Sequence, residues 1–143
     1  LYIDMDGVVA DYDALGFLST KEKNDVYLNK RPIFTIINIL KEISEQKNIV
    51  LKILSCTTKI NQKDGKYKWL NKYMDFISTE NINIISREEK NFIKASIVKK
   101  EFLKDNIDKN CINIMIDDSH EVISEIIKLD LNIIPLHITS ILD

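Results

Sequence analysis

The sequence predicts an α/β fold in which a parallel sheet lies between helices. Two observations carry that prediction. Short β-rich apolar runs alternate with helical stretches along the whole chain, the pattern of βαβ units with right-handed crossovers. Three of the runs also end in chemistry. Leu1-Tyr2-Ile3 leads into Asp4-Met5-Asp6-Gly7, Ile49 to Leu54 into Ser55-Cys56-Thr57-Thr58, and Cys111 to Ile116 into Asp117-Asp118. In a parallel sheet these carboxyl ends lie along one edge, where open α/β sheets bind their ligands. Residues more than a hundred positions apart therefore converge on one pocket.

Leu1 to Ile3 reads as the end of the first strand. Asp13 to Arg31 is mixed and weakly periodic, and no element is assigned to it. Pro32 fits the first turn of a helix, where its missing N–H costs nothing. Ile33, Phe34, Ile36, Ile37, Leu40 and Ile43 follow at helical spacing to about Gln46. Ile49 to Leu54 is the second strand. After the loop at Asp64-Gly65 a second helix carries Trp69, Leu70, Tyr73 and Met74. Trp69 and Tyr73, at i and i+4, read as core. Asn81 to Ile85 is a strand, and a third helix runs from about Asn91 to Lys104 with Ile93, Ile97 and Phe102 inward. Cys111 to Ile116 is the next strand. A fourth helix, Ser119 to Leu129, has Val122, Ile123, Ile126 and Ile127 on its apolar face, and Leu131 to Pro135 is the last strand.

The 143 residues make one domain, 1–143, large enough for a core without staples. Three Gly and two Pro leave no room for a flexible linker. A net charge of −2 gives no reason to expect duplex nucleic acid or a membrane surface as a partner. The basic stretches Lys21 to Lys23 and Lys99-Lys100 are diluted by acids and read as solvated faces. Cys56 and Cys111 lie in or beside apolar runs, as buried free thiols do, which implies a reducing cytoplasm. No apolar run approaches the roughly 20 residues of a membrane span, and no signal peptide is visible. The chain does not begin with Met, so residues preceding Leu1 are expected.

Two carboxylates at i and i+2 on a strand end are costly unless something cationic joins them. Magnesium takes hard oxygen ligands, commonly one or two carboxylates and a substrate phosphate, and Asp4, Asp117 and Asp118 can supply that charge. A carboxylate beside Mg²⁺ can attack phosphorus, and a second acid two residues on can protonate the leaving oxygen and then activate water. Ser55 can hold a phosphoryl oxygen and a lysine can neutralise another. Each signature alone has a plainer reading. A lone Asp-x-Asp is usually a turn, and Asp118 or Ser119 could simply cap the fourth helix. Their joint occurrence, in order and each at the end of an apolar run, favours the site.

The run Asp4-Met5-Asp6-Gly7-Val8-Val9-Ala10-Asp11 resembles the first motif of the haloacid dehalogenase (HAD) superfamily, Ile53-Leu54-Ser55 the second and Ile116-Asp117-Asp118 the fourth. The Asp-Gly-Val-Val-Ala-Asp-aromatic wording, with Lys66-Tyr67-Lys68-Trp69, resembles in particular the 5′(3′)-deoxyribonucleotidases. The resemblance implies a Rossmann-like three-layer α/β/α fold and a Mg²⁺-dependent phosphomonoesterase working through an aspartyl phosphate, with a (deoxy)nucleoside monophosphate as substrate. Asp4 would be nucleophile and metal ligand, and Asp6 the general acid/base with its carbonyl on the metal. Ser55 would bind phosphate, Asp117 and Asp118 would hold Mg²⁺, and Tyr12 would line the base pocket. For the phosphate-binding lysine of the third motif, Lys94 of Lys94-Ala95 and Lys90 of Arg87-Glu88-Glu89-Lys90 both match, with Lys94 preferred.

The chain departs from that family between Tyr12 and Pro32, where residues 13–31 leave only a very short cap. A reduced cap opens the site to other phosphomonoesters, so a phosphosugar, a phosphoprotein or a nucleic-acid end stays open as substrate, as does a non-catalytic HAD-like binding module. The stretch from Ser86 to Asn110, or a second subunit in a homodimer, could supply the missing wall. His120 reads as an exposed first-turn residue, His137 shows no partner, and Cys56 has no base beside it.

Overall fold

Five strands, β1 (Tyr2–Ile3), β2 (Lys52–Thr57), β3 (Ile82–Ser86), β4 (Asn113–Asp117) and β5 (Ile133–His137), form one parallel sheet in the order β3-β2-β1-β4-β5. The computed structural model describes residues 1–12 and 27–141. Helices α1 (Phe34–Ser44), α2 (Lys63–Tyr73), α3 (Ala95–Asn106) and α4 (His120–Ile127) connect and cover the strands. Alternation along each strand sorts the apolar side chains into two layers. Ile3, Ile53 and Ile84 pack with Ile36, Ile37 and Leu40 of α1 and Trp69 and Leu70 of α2. Tyr2, Leu54 and Met115 pack with Leu103 of α3 and Val122 and Ile126 of α4. The fold is therefore the three-layer, Rossmann-like α/β/α arrangement of HAD proteins.

The order places β1 centrally, with chain winding outward from it on both sides. The winding changes direction between β1 and β4, and a switch point of this kind opens a crevice at the carboxyl ends. Ile3 stands opposite Ile53 and Ile116, and the Asp4 N–H continues the ladder to the Ile116 carbonyl at 3.0 Å. Asp4 thus enters the crevice between the ends of β2 and β4.

Several local expectations change. Pro32 is not in a helix but bridges Ala10 in antiparallel fashion. The flanking bonds, Asp11 N–H to Arg31 O and Ile33 N–H to Val9 O, both 2.8 Å, leave Pro32 at a position that needs no N–H. Helix α3 starts at Ala95 rather than Asn91, because Asn91 and Phe92 hold φ of 53° and 56°, which a right-handed helix cannot include. Its buried residues are Ser96, Val98, Lys99 and Leu103, while Ile93 is exposed and Ile97 and Phe102 are half-buried. Ile127 of α4 is exposed too. Cys111 is not a buried thiol; it lies exposed in the turn before β4, where its Sγ reaches Asp108. Of the short segment 13–31, residues 13–26 lie outside the described residues. Among those described, no helix is long and apolar enough to cross a membrane.

Candidate active site

The first motif is a turn that folds back on its own strand. The Met5 carbonyl accepts N–H groups from Val8, Val9 and Ala10, and the Gly7 N–H reaches the Ala10 carbonyl at 2.8 Å. Met5, Val8, Val9 and Ala10 are buried and anchor the turn, which leaves Asp4 and Asp6 facing the crevice. Gly7 has φ of 74°, and a Cβ there would stand 2.2 Å from Oδ2 of Asp118. Only glycine satisfies both the backbone and the close approach of the fourth motif.

Three lysines stand against these carboxylates. Lys99 Nζ lies 3.0 Å from Asp4 Oδ2 and 2.6 Å from Asp117 Oδ2. Lys66 Nζ donates to Asp6 Oδ2 at 2.5 Å, to Ser55 Oγ at 2.7 Å and to the Cys56 carbonyl at 2.8 Å. Lys30 Nζ pairs with Asp6 Oδ1 at 2.9 Å. Lys66 and Lys99 are 0% and 3% exposed, and their ammonium groups are paired, Lys66 with one carboxylate and Lys99 with two. A buried charge without a partner would be prohibitive.

The electrostatics follow from that pairing. Burial pushes the Asp6 carboxyl up, but Lys66 and Lys30 outweigh it and hold the group below the ordinary carboxylate range. Burial raises Asp117 to about 6, against Lys99 and with the nearby Asp4 charge adding to the rise. Burial, then the Asp4 charge, raises Asp118 as well. Burial disfavours the Lys99 ammonium, yet Asp4 and Asp117 reverse the effect and keep it protonated. The Cys56 thiol is pushed up to about 11, chiefly by burial, so it offers no thiolate at neutral pH.

Ligand oxygens of Asp4, Asp117 and Asp118 lie within 4.8 Å of one another. Asp4 Oδ1 is buried and accepts no hydrogen bond, while Asp117 Oδ1 accepts the Ser119 N–H at 2.9 Å. A buried carboxylate oxygen without a donor, in a hard-oxygen set, fits a small divalent cation such as Mg²⁺. These residues form the floor of a cleft of ≈ 290 Å³.

Among the residues expected from the sequence, Asp4, Asp6, Ser55, Asp117 and Asp118 meet in this cleft. Tyr12 stands at its edge, exposed, with Lys30 Nζ 5.0 Å from its ring centroid. Lys94 reaches only the rim, where it pairs with Glu121 at 2.8 Å. Lys90 lines a separate cleft beside α3. The lysines at the carboxylates are instead Lys99, Lys66 and Lys30. Lys99 belongs to the pair read as a solvated face, whereas its side chain is buried. Lys66 shares the buried face of α2 with Trp69 and Leu70. Lys30 arrives from the returning end of the 13–31 segment, held where the Trp69 indole donates to its carbonyl at 2.8 Å. A lysine falling on an apolar helical stripe was the available signal for Lys66 and Lys99. His137 is not without partners: its Nε2 meets the Asp118 carbonyl at 2.8 Å and its ring stacks on the exposed His120 at 4.1 Å.

A family model for the polynucleotide kinase PNKP phosphatase domain matches residues 1–137. A chain from the structure of the Pnkp1/Rnl/Hen1 RNA repair complex superposes with a TM-score of 0.63 at 16% identity. The match covers 95% of the present chain and 41% of the other, so the present chain spans about two fifths of that protein's length. At that identity the likeness is one of fold. No curated protein sequence matches.

Proposed function

Because the chain belongs to the PNKP phosphatase-domain family, within the HAD superfamily, we propose that it removes a terminal phosphate from a nucleic-acid strand end through an aspartyl phosphate at Asp4. The family match supports the strand end as substrate. The observation that supports the chemistry is the buried, donor-free Asp4 Oδ1 beside Lys99 and the Asp117/Asp118 pair. The deoxyribonucleotidase resemblance of the first motif gains no such support and stands as the competing substrate reading.

In the first half of the reaction Asp4 attacks phosphorus, the P–O ester bond breaks, and the leaving alkoxide takes a proton from Asp6. In the second half water attacks the same phosphorus, Asp6 takes its proton, and phosphate leaves as the Asp4 carboxylate is restored. Mg²⁺ held by Asp4, Asp117 and Asp118 would neutralise charge gathered on the phosphoryl oxygens. Ser55 and Lys66 stand together to hold a phosphoryl oxygen. Lys99 holds the Asp4 carboxylate in place through its ion pair, and its ammonium offsets the charge of the incoming dianion. Asp6 rests as a carboxylate, which suits the second half. The first half needs it protonated, and a phosphate that draws Lys66 or Lys30 onto itself relaxes their hold on it.

The test is a panel of substrates with Mg²⁺: short single-stranded oligonucleotides bearing a 3′ or 5′ phosphate, nucleoside monophosphates, a sugar phosphate and a phosphopeptide. The expected result is kcat/KM about tenfold or more above the others for one of the phosphorylated oligonucleotides, a gap of about 1.4 kcal/mol. Equal or better turnover of nucleoside monophosphates would replace the strand-end reading with the nucleotidase one. Absence of turnover on the whole panel would favour a binding module.

A further inference from the structure

Resting on the strand-end reading, we propose that Phe92 is a stacking platform for an unpaired base close to the phosphate being removed. Phe92 has φ of 56° and directly follows Asn91 at 53°. Asparagine visits the left-handed region readily, but a bulky aromatic residue there is an outlier. Burial of the ring would be the ordinary compensation, and it is not obtained: Phe92 is 53% exposed. Backbone strain that yields no core contact, in a loop whose Arg87 and Lys94 line the candidate cleft, is the kind that persists for a function.

The loop that holds this conformation is built around one side chain. Arg87 donates from Nε to the Ile93 carbonyl at 2.8 Å and from Nη2 to the Phe92 carbonyl at 3.1 Å. Its own carbonyl accepts the N–H groups of Lys90 at 3.0 Å and Phe92 at 2.7 Å. The Arg87 N–H reaches the Thr57 carbonyl at 2.8 Å, at the end of the strand that carries Ser55. Glu89 accepts the Ser86 N–H at 3.2 Å and pairs with Lys63 at 3.1 Å, and Glu88 accepts the Ile60 N–H at 2.9 Å. Every turn of the loop is tied to itself or to the elements beside the site. The backbone that carries the ring is held in place, so a ligand that stacks on the ring does not have to order the loop first.

Position and chemistry choose the ligand. Arg87 and Lys94, on either side of Phe92 in the chain, both line the cleft that holds Asp4. A strand whose terminal phosphate sits on Asp4 must leave the cleft across its rim, and its first bases then meet whatever the rim offers. An exposed aromatic ring two residues before Lys94, whose ammonium a phosphodiester would share with Glu121, offers a π-face for a base and a cation for the next phosphate, a combination that accepts any base sequence. Inside a duplex each base has both faces taken by its neighbours and only the end pair keeps one free, so the platform favours single-stranded ends, whose successive bases can all reach it. Arg87 is the positioning residue of this arrangement.

The experiment compares wild type, Phe92→Ala and Phe92→Trp on a single-stranded oligonucleotide with a terminal phosphate and on p-nitrophenyl phosphate. The ratio of the two kcat/KM values is expected to fall about tenfold in F92A, through KM for the oligonucleotide, and to be restored in F92W. An abasic residue placed first, second or third from the phosphate should reproduce the loss in wild type at one of these places and add nothing further in F92A. A ratio that F92A leaves at the wild-type value, or an abasic loss that adds fully to that of F92A, overturns the inference while leaving the strand-end reading intact. Wild-type enzyme that prefers nucleoside monophosphates overturns the reading and the inference together.

Discussion

At Gly7 two requirements meet in one residue, a left-handed φ and a close approach in which an added Cβ would stand 2.2 Å from Oδ2 of Asp118. Gly7→Ala therefore strains the backbone by about 1–2 kcal/mol and also displaces a member of the carboxylate set. The expected outcome is a modest fall in melting temperature with about a tenfold or greater rise in the Mg²⁺ concentration that gives half-maximal turnover, since one ligand is lost. A magnesium titration alongside thermal denaturation reads both. Loss of stability with an unchanged magnesium requirement would remove Asp118 from the metal set. The same scale shows why some site residues were legible in the sequence and others were not. Asp4, Asp6, Ser55 and Asp117 each end an apolar run, so their position marks them. Lys66, Lys99 and Lys30 lie among other charged residues, and the surface lysines of such a chain have the same spelling. Lys66 and Lys99 are set apart locally only by falling on the buried stripe of a helix, and Lys30 has no such mark; burial and the geometry of the ion pairs complete the distinction. Of the two lysines that matched a pattern, Lys94 lines the same cleft as Asp4 but pairs with Glu121, and Lys90 lines another cleft.

Helix α3 shows how one element serves packing and chemistry from a single face. Ser96, Lys99 and Leu103 follow one another at i, i+3 and i+7, so the stripe that seats Leu103 in the core also delivers Lys99 between Asp4 and Asp117. A reading by apolar residues alone selects Ile93 and Ile97 and rotates the helix away from this face. Its start was equally hidden, because the left-handed pair Asn91-Phe92 carries no glycine to announce it. Lys99→Met keeps the volume and removes the charge, leaving two buried carboxylates face to face. Breaking such a pair costs about 3–5 kcal/mol, so the melting temperature should fall by about 10 °C without metal. Millimolar Mg²⁺ should restore part of that loss by taking over the charge. A melting temperature indifferent to magnesium in this variant would mean that the carboxylates do not form a cation site.

The whole molecule places the site by topology. Because β1 lies between β2 and β4, motifs separated by more than a hundred residues in sequence become neighbours at one switch point. That much was legible, since alternation of strands and helices fixes a parallel sheet and its active edge. The substrate class was less so. The resemblance to nucleotidases rests on the seven residues Asp6 to Tyr12 and on Lys66 to Trp69, whereas the family match draws on residues 1–137 and points to the PNKP phosphatase domain. The end of the short 13–31 segment adds Lys30 to the site, a contribution that no motif announces.

In the proposed reaction the phosphorus passes through Asp4. The direct test is to mix the protein and Mg²⁺ with an oligonucleotide carrying a ³²P-labelled terminal phosphate, quench in acid within the first turnovers, and map the label by peptide digestion. Label is expected on the peptide containing Asp4 and absent in Asp4→Asn, whose turnover is expected to be abolished while its fold is kept. Turnover in Asp4→Asn, or label carried by any other residue, would contradict it.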